Sequence, residues 1–599
     1  MKQLVSDFVM GRLRDWGVRR VFAYPGDGIN GITGAFARLQ NAPRFIQVRH
    51  EEMAAFMACA HAKFTGEVGV CMATSGPGAI HLLNGLYDAK LDHQPVVAIV
   101  GQSARSVMGG SYQQEVDLLS LFKDVAGSYV QMVTTPEAVR HTVDRAFRIA
   151  ISQRTVTCVI VPHDVADLPA TPVPAHAHDT VHSSVGVARP VVAPRDDDLQ
   201  RAAEILNDGE RVAILAGAGT LGASEELMAV ADALGAGVAK ALLGKAVLPD
   251  DLPYVTGSIG LLGTAATADM MSHCDTLLMV GTSFPYAEFL PKEGKARAVQ
   301  IDIDPQMLGL RYPTELNLVG DSAATLRALL PRLTYKTEHG WRTKIESWVA
   351  EWWKLLDARA NAPSEFVNPE LVFAELSRKL PDYAIIAGDA GSSTMWLARY
   401  LKMRRGMSFS LSGRLASMGS AMPYAIAAKF AFPLRAVFAI AGDGAMQMNG
   451  INELITVAKY WREWKDPRFV VIVINNRDLN MVTWEMRALE GNPKFPASQD
   501  IPDFQYAAYA RSLGFGGTRV ENRGLLGEAF EAALSADRPY VIEVVTDPDV
   551  PMLPPHVSLD QARSFFASLR KGDVDTPGIV RQSFREIFAN LIERKSEKN

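Results

Sequence analysis

The sequence reads as an α/β protein of three doubly wound domains, each with a largely parallel, buried sheet, followed by a C-terminal helical tail. Three observations predict this. Short β-branched runs such as "RRVFAYPG", "PVVAIVGQ" and "FVVIVINNRD" alternate with alanine-rich helical segments along the whole chain. Glycine-rich turns close these runs, where parallel strands of open sheets hand over to helices. And 599 residues are too many for one domain, with roughly three expected.

The elements follow in order. Residues 1–168 hold "RRVFAYPG", "RFIQVR", "VGVCMATSGPG", "PVVAIVGQ" and "TCVIVPHD", the strands of a first domain. Residues 169–195, rich in Pro, Ala and His, lack periodicity and read as a linker. Residues 196–335 form a second block around "RVAILAGAG", "GVAKAL", "DTLLMVG" and "RAVQIDID". A helical connector, 336–365, carries Trp341, Trp348, Trp352 and Trp353. The third block, 366–548, contains "YAIIAGDAGSS", "RAVFAIAGDGAMQ", "FVVIVINNRD" and "YVIEVVTDP". The first and third blocks share a strand, glycine turn, helix order without a residue-level repeat. In the tail, 549–599, Val580, Phe584, Ile587, Phe588 and Leu591 make one apolar helical stripe.

Composition excludes several classes. Hydrophobic content of 48% and charged content of 21% are ordinary for a globular chain. The net charge of −5 comes without a basic stripe, which argues against nucleic acid as a partner. No apolar run approaches the ~18 residues that span a bilayer, and the N-terminus resembles neither a signal nor a transit peptide. Cys59, Cys71, Cys158 and Cys274 lie far apart in apolar company. They read as core residues of a reducing compartment, so the expected location is cytoplasmic.

The chemistry concentrates at 441–478, "AGDGAMQMNGINELITVAKYWREWKDPRFVVIVINNRD". One strand ends at Gly442-Asp443-Gly444, a helix follows, and the next strand ends at Asn475-Asn476. Acidic and amide oxygens therefore lie at the carboxyl ends of neighbouring strands, where open sheets bind ligands. Glycines let the backbone approach a phosphate, and a helix N-terminus offers N–H donors. An Asp with an Asn oxygen is a hard set suited to Mg2+, which typically bridges protein to a diphosphate. Gly26-Asp27-Gly28 has the same letters but no Asn-Asn after the next strand, and reads as a plain turn.

The pairing of GDG with NN resembles the thiamine diphosphate fingerprint. "RHEEMAAF", "TSGPGAIHLLNGLYDA", "YQQE", "GLLG", "GTSFPYAEFLP", "QIDIDP", "LVGD", "MGSAMP" and "LPPHVSLDQA" extend the resemblance over essentially the whole chain. It is similar to the pyruvate oxidase and acetohydroxyacid synthase superfamily, nearest its quinone-linked pyruvate dehydrogenase branch. The resemblance implies pyrimidine-binding, middle and diphosphate-binding domains on the three blocks. It implies that Glu51 is the acid that pairs with N1′ of the cofactor's aminopyrimidine, leaving Glu52 as a helix acid. Proton transfer there frees the cofactor to attack a 2-oxo acid carbonyl and release CO2. It further implies Mg2+ on Asp443, Asn476 and the carbonyl of Asp478. Gly442, Gly444 and Ala445 would line the diphosphate with 388–393, Gly76 would border the cofactor, and Met418 would bend it. Gln114 would stand near the substrate. His50, His81 and His93 show no metal partner at ligand spacing. A dimer or tetramer is implied, with Glu51 of one subunit facing the diphosphate site of another.

The middle block matches the FAD-binding version of the family, with Gly260, Gly263, Gly281, Phe284 and Asp302 at backbone and ribose contacts. Departures keep two reactions open. Gln113 stands where an aromatic is usual, and Asn480 and Met481 replace a Gly and a Phe. These positions and Trp484 would line the substrate pocket. One reading is oxidative decarboxylation of pyruvate to acetate through FAD. The other is non-oxidative decarboxylation and carboligation to acetolactate- or acyloin-type products. The C-terminal stripe suggests peripheral contact with the inner membrane face, or docking on the protein body.

Overall fold

A computed structural model describes residues 3–552, 555, 559–576 and 578–579. It contains three six-stranded sheets, every pairing of which is parallel. The first comprises β1 (Arg20–Ala23), β2 (Arg44–Gln47), β3 (Gly69–Ala73), β4 (Val96–Gln102), β5 (Val130–Met132) and β6 (Val156–Pro162). Their order is β2-β1-β3-β4-β6-β5. The second comprises β7 (Val212–Ala216), β8 (Gly237–Lys240), β9 (Val255–Ser258), β10 (Thr276–Val280), β11 (Arg297–Asp302) and β12 (Leu316–Val319). It runs β12-β11-β10-β7-β8-β9, the 3-2-1-4-5-6 arrangement of dinucleotide-binding sheets. The third comprises β13 (Ile385–Gly388), β14 (Ser408–Ser410), β15 (Val437–Gly442), β16 (Phe469–Asn475), β17 (Gly516–Val520) and β18 (Tyr540–Val545). Its order, β14-β13-β15-β16-β18-β17, repeats that of the first sheet strand for strand. The repeat that is absent from the residues is present in the topology.

Central strands are apolar throughout because helices cover both faces. Every residue of β4 and of β16 is buried. The helix Glu51–Thr65 is buried along nearly its whole length and ends on Gly66 at φ +72°. Its many alanines let neighbours approach closely. A Cβ on Gly85 of the helix Leu83–Leu91 would lie 2.6 Å from Ala55 Cβ and Phe56 N, so the crossing tolerates only glycine. On its other side the alanine-rich helix Ala421–Ala431 joins the first and third sheets in one core.

A polar clamp reinforces that contact. Lys63 Nζ donates to Asp92 Oδ2 at 2.7 Å, to the Leu411 carbonyl at 2.8 Å and to Tyr424 Oη at 2.6 Å. Asp92 in turn accepts the backbone N–H groups of Gly413 and Arg414, each at 2.9 Å. Burial alone would lower the Lys63 pKa, but Asp88 and Asp92 hold it above its usual value. The middle and third sheets share a second core, to which the helix Gly340–Ala360 contributes Trp352. Buried Arg399 donates to the carbonyls of Leu261 at 2.9 Å and Gly263 at 3.2 Å across this contact.

All four cysteines are buried. Among the described residues no helix is long and apolar enough to cross a membrane. The C-terminal apolar stripe from Val580 to Leu591 lies outside the described residues.

Candidate active site

The third sheet builds the first pole of the site. Gly442 pairs in register with Ile474, so the turns after β15 and β16 leave the sheet side by side. The segment between the helix Ile451–Tyr460 and β16 (Phe469–Asn475) holds one short turn, Trp461–Glu463. Asp443 is buried; its Oδ1 accepts the Gly444 N–H at 2.8 Å and its Oδ2 the Arg477 N–H at 2.5 Å. Desolvation lifts its pKa to about 7, with a further push from the charge of Asp478. The two asparagines divide their work, as alternation along a strand requires. Asn475 donates to Asp503 and to Glu543, both at 2.9 Å, and so ties strands together. Asn476 Oδ1 accepts the Asp478 N–H at 3.1 Å, and it is the Asn476 backbone that interacts with the Asp443 carboxylate. Arg477 sits at φ +58°, which turns its N–H back onto Asp443. The Asp478 carboxylate is used by Thr483 at 2.9 Å, Asn480 at 3.0 Å and Lys494 at 3.2 Å. Its backbone carbonyl is what it can offer a cation.

Beside this pole, the helix Ser392–Tyr400 begins next to β15 through the register Gly388–Ile440. Its N-cap is Gly391 at φ +104°, with open space around a Cβ position. Ser393 Oγ is buried without a hydrogen-bond partner. Free N–H groups and an orphan hydroxyl suit an anion, and Asp443 with Asn476 suits the cation that would accompany it. Space is also open beside Gly442. The residues present therefore fit a diphosphate with a divalent metal. Met418 closes over this pole. A Cβ on Gly444 would lie 3.1 Å from Met418 Cε and 2.7 Å from Leu479 Cδ2. Asp389 fixes that turn by accepting the N–H groups of Gly419 and Ala421 at 2.9 Å each, with its own pKa lifted to about 7 by burial. Ala445 is buried at the head of the widened helical turn Met446–Gly450, a form often seen at functional sites.

The first sheet builds the second pole. Glu51, at 8% exposure, opens its helix with His50 as N-cap, whose Nδ1 accepts the Glu52 N–H at 3.2 Å. Glu51 Oε2 lies 3.0 Å from His81 Nδ1, and the His50 and His81 rings stack at 4.4 Å. Although sequence spacing shows no ligand partner for them, donor atoms of His50, Glu51 and His81 all lie within 4.8 Å of one another. Glu52 is more than a helix acid. It accepts Asn84 Nδ2 at 2.5 Å and Asn449 Nδ2 at 3.1 Å, while Asn84 also reaches Ser417 Oγ at 2.9 Å. Through Glu52 the two poles are joined. Gly76 lies against Gln114, whose Cβ would stand 2.8 Å from a Cβ there; Gln114 itself adopts φ +62°. Gln113 is exposed. Gly26-Asp27-Gly28 packs onto this edge, with Gly28 N–H donating to Thr74 Oγ1 at 2.9 Å.

Asn480, Met481 and Trp484 follow the turn after β16. Asn480 Nδ2 and Trp484 Nε1 both donate to the Pro548 carbonyl, at 3.0 and 3.3 Å, and Trp484 stacks on Phe565 at 6.0 Å. Met481 packs at the margin of the core shared by the middle and third sheets. Buried Arg487 ties this segment to Asp573 and Asp575 at 2.8 and 2.7 Å.

In the middle sheet, Gly281 donates its N–H to the Ile301 carbonyl at 2.9 Å, which sets it beside Asp302. Asp302 is buried, its pKa raised by desolvation, and it accepts the Asp304 N–H at 3.0 Å. Gly260, at φ +93°, lies under the Phe284 ring, 3.0 Å from a Cβ position, and Gly263 folds back onto it. The sequence reading missed one signal here. "GAGTLG", 217–222, is a G-x-G-x-x-G between β7 and the helix Ser224–Ala233. Gly219 meets Gly281 where the strand order reverses, 2.6 Å from a Cβ position. The donor set and glycines suit a dinucleotide.

Comparison with known proteins agrees with this geometry. Residues 4–121 match the N-terminal TPP binding domain of thiamine pyrophosphate enzymes, 199–329 their central domain, and 389–544 their C-terminal TPP binding domain. The protein YdaP of Bacillus subtilis, assigned as thiamine pyrophosphate-containing, is 36% identical over 97% of this chain and 98% of its own length. Pyruvate oxidase of Lactiplantibacillus plantarum is 29% identical over 94% and 92% of the two chains. The large subunit of acetolactate synthase isozyme 3 of Escherichia coli is 29% identical over 90% and 94%.

Proposed function

The chain belongs to the thiamine pyrophosphate enzyme family, and from that premise we propose that it decarboxylates a 2-oxo acid, pyruvate, and oxidises the remaining two-carbon unit through FAD to acetate, with water supplying the new carboxylate oxygen and the two electrons passing to an acceptor. Bound thiamine diphosphate supplies the carbon nucleophile and electron sink for the decarboxylation. Asp443, Asn476 and the Asp478 carbonyl hold Mg2+, and Ser393 with the helix N-terminus binds the diphosphate. Glu51 moves a proton to and from the pyrimidine N1′. Its burial keeps that exchange out of bulk water and strengthens the bond. Gln114 faces the substrate.

The observation that carries this reading is the buried Asp443 carboxylate at the end of β15 beside the unpaired Ser393 hydroxyl at a helix N-terminus, with the buried acid Glu51 opening a helix of the first domain. Support for FAD is the G-x-G-x-x-G loop at the reversal point of a 3-2-1-4-5-6 sheet. The family arrangement further suggests a homodimer or homotetramer in which Glu51 serves a neighbour's diphosphate pole.

A second reading, carboligation to acetolactate- or acyloin-type products, is favoured by the polar side chains of Gln113 and Asn480 where the oxidising members carry aromatics or glycine. One experiment separates the two: purified protein with pyruvate, thiamine diphosphate, Mg2+ and an artificial electron acceptor. Acetate formed in step with dye reduction supports oxidation. CO2 release with acetolactate or acetoin and no dye reduction overturns it.

A further inference from the structure

We propose that His81 is a positioning residue for Glu51, holding its carboxylate in one rotamer; this rests on the thiamine diphosphate reading above. His81 ends the short helix Pro77–His81, 30 positions from Glu51 in sequence, yet its Nδ1 lies 3.0 Å from Glu51 Oε2. An ionised carboxylate only accepts, so the imidazole donates from Nδ1. Its ring is 42% exposed, while the Glu51 side chain is 10% exposed. The other oxygen, Oε1, faces Gly78, where only the lack of a side chain leaves it room: a Cβ there would come within 3.2 Å.

The ring that donates is itself held. His50 stacks on it at 4.4 Å with 28° between the planes. His50 cannot swing away, because its Nδ1 is the cap of the Glu51 helix. His81 therefore keeps the Glu51 carboxylate from rotating out of line with the pyrimidine nitrogen.

The test uses the full chain with thiamine diphosphate and Mg2+, comparing wild type, H81F, H81N, E51Q and H81F/E51Q. H81F keeps the stack on His50 but has no donor; H81N keeps a donor without the ring. Cofactor Kd is read by tryptophan fluorescence, and exchange of the cofactor C2 proton for deuterium by quenched-flow NMR. We expect H81F to bind cofactor with unchanged Kd and to exchange about tenfold more slowly, short of the ~10²–10⁴-fold expected for loss of the acid itself. H81N should recover most of the rate, and H81F should add nothing in the E51Q background. Wild-type exchange in H81F, or an equal further loss on top of E51Q, overturns the role of His81 alone. Failure of the wild type to bind thiamine diphosphate overturns the reading beneath it as well.

Discussion

Asn475 and Asn476 are adjacent and chemically identical, yet they do different things because a strand sends successive side chains to opposite faces. Asn475→Ala should lower the apo-protein's stability by about 1–3 kcal/mol in urea unfolding, since it strips donors from buried Glu543 and from Asp503. Asn476→Ala should leave that stability nearly intact. Instead it should raise the Mg2+ concentration needed for half-maximal thiamine diphosphate binding at least tenfold, and an unchanged requirement would remove Asn476 from the metal set. Glu51→Gln should fold and bind cofactor normally while turnover falls by ~10²–10⁴-fold; full turnover would reduce Glu51 to a helix acid. These residues were legible because each motif lies within a few positions of the turn that aims it. The contacts of His81 and Glu52 were not, since their partners are chosen by packing between segments distant in sequence.

At the scale of single elements, the helix Ile451–Tyr460 carries a carboxyl that the motif reading passed over. Glu453 is fully buried, and its Oε1 accepts the Arg49 N–H at 3.0 Å while Oε2 has no hydrogen-bond partner. Desolvation pushes its pKa up to about 7. A carboxyl with a raised folded-state pKa contributes stability that is complete below its unfolded pKa and is lost as pH rises through the folded value. The window here runs from about pH 4.5 to about pH 7. Glu453→Gln should therefore match wild type near pH 4.5 and exceed it by on the order of 2–3 kcal/mol at pH 8. A constant difference across that range would show that Glu453 is ionised throughout. Strand positions were readable from β-branched runs, whereas the burial of Glu453 depends on a helix from one sheet meeting a loop from another.

Over the whole molecule, the three-block rhythm of the sequence was enough for the fold class, because alternation of strand and helix restricts connections to parallel crossovers. Strand order was not readable: nothing in a run of valines says which neighbour it takes. The duplicated order of the first and third sheets emerged only in three dimensions, and so did the clamp between them. Lys63→Met leaves Asp92 and Asp88 buried without their cation. It should cost about 3–5 kcal/mol, measured by urea unfolding, and should expose the 411–418 segment to proteolysis before global unfolding. Loss of under ~1 kcal/mol would mean that the clamp behaves as a surface pair.

The helix Glu51–Thr65 has one further consequence. It carries the buried acid Glu51 at its first residue and the lysine that grips the 411–418 segment near its last, so it works as a spacer of fixed length, about 22 Å for 15 residues. One residue inserted between Glu52 and Lys63 would turn Lys63 by about 100° around the axis and advance it by about 1.5 Å. Lys63 would leave Asp92, Leu411 and Tyr424 while Glu51 stayed in place. Any viable variant of this protein should therefore keep the interval from Glu51 to Lys63 free of insertions and deletions.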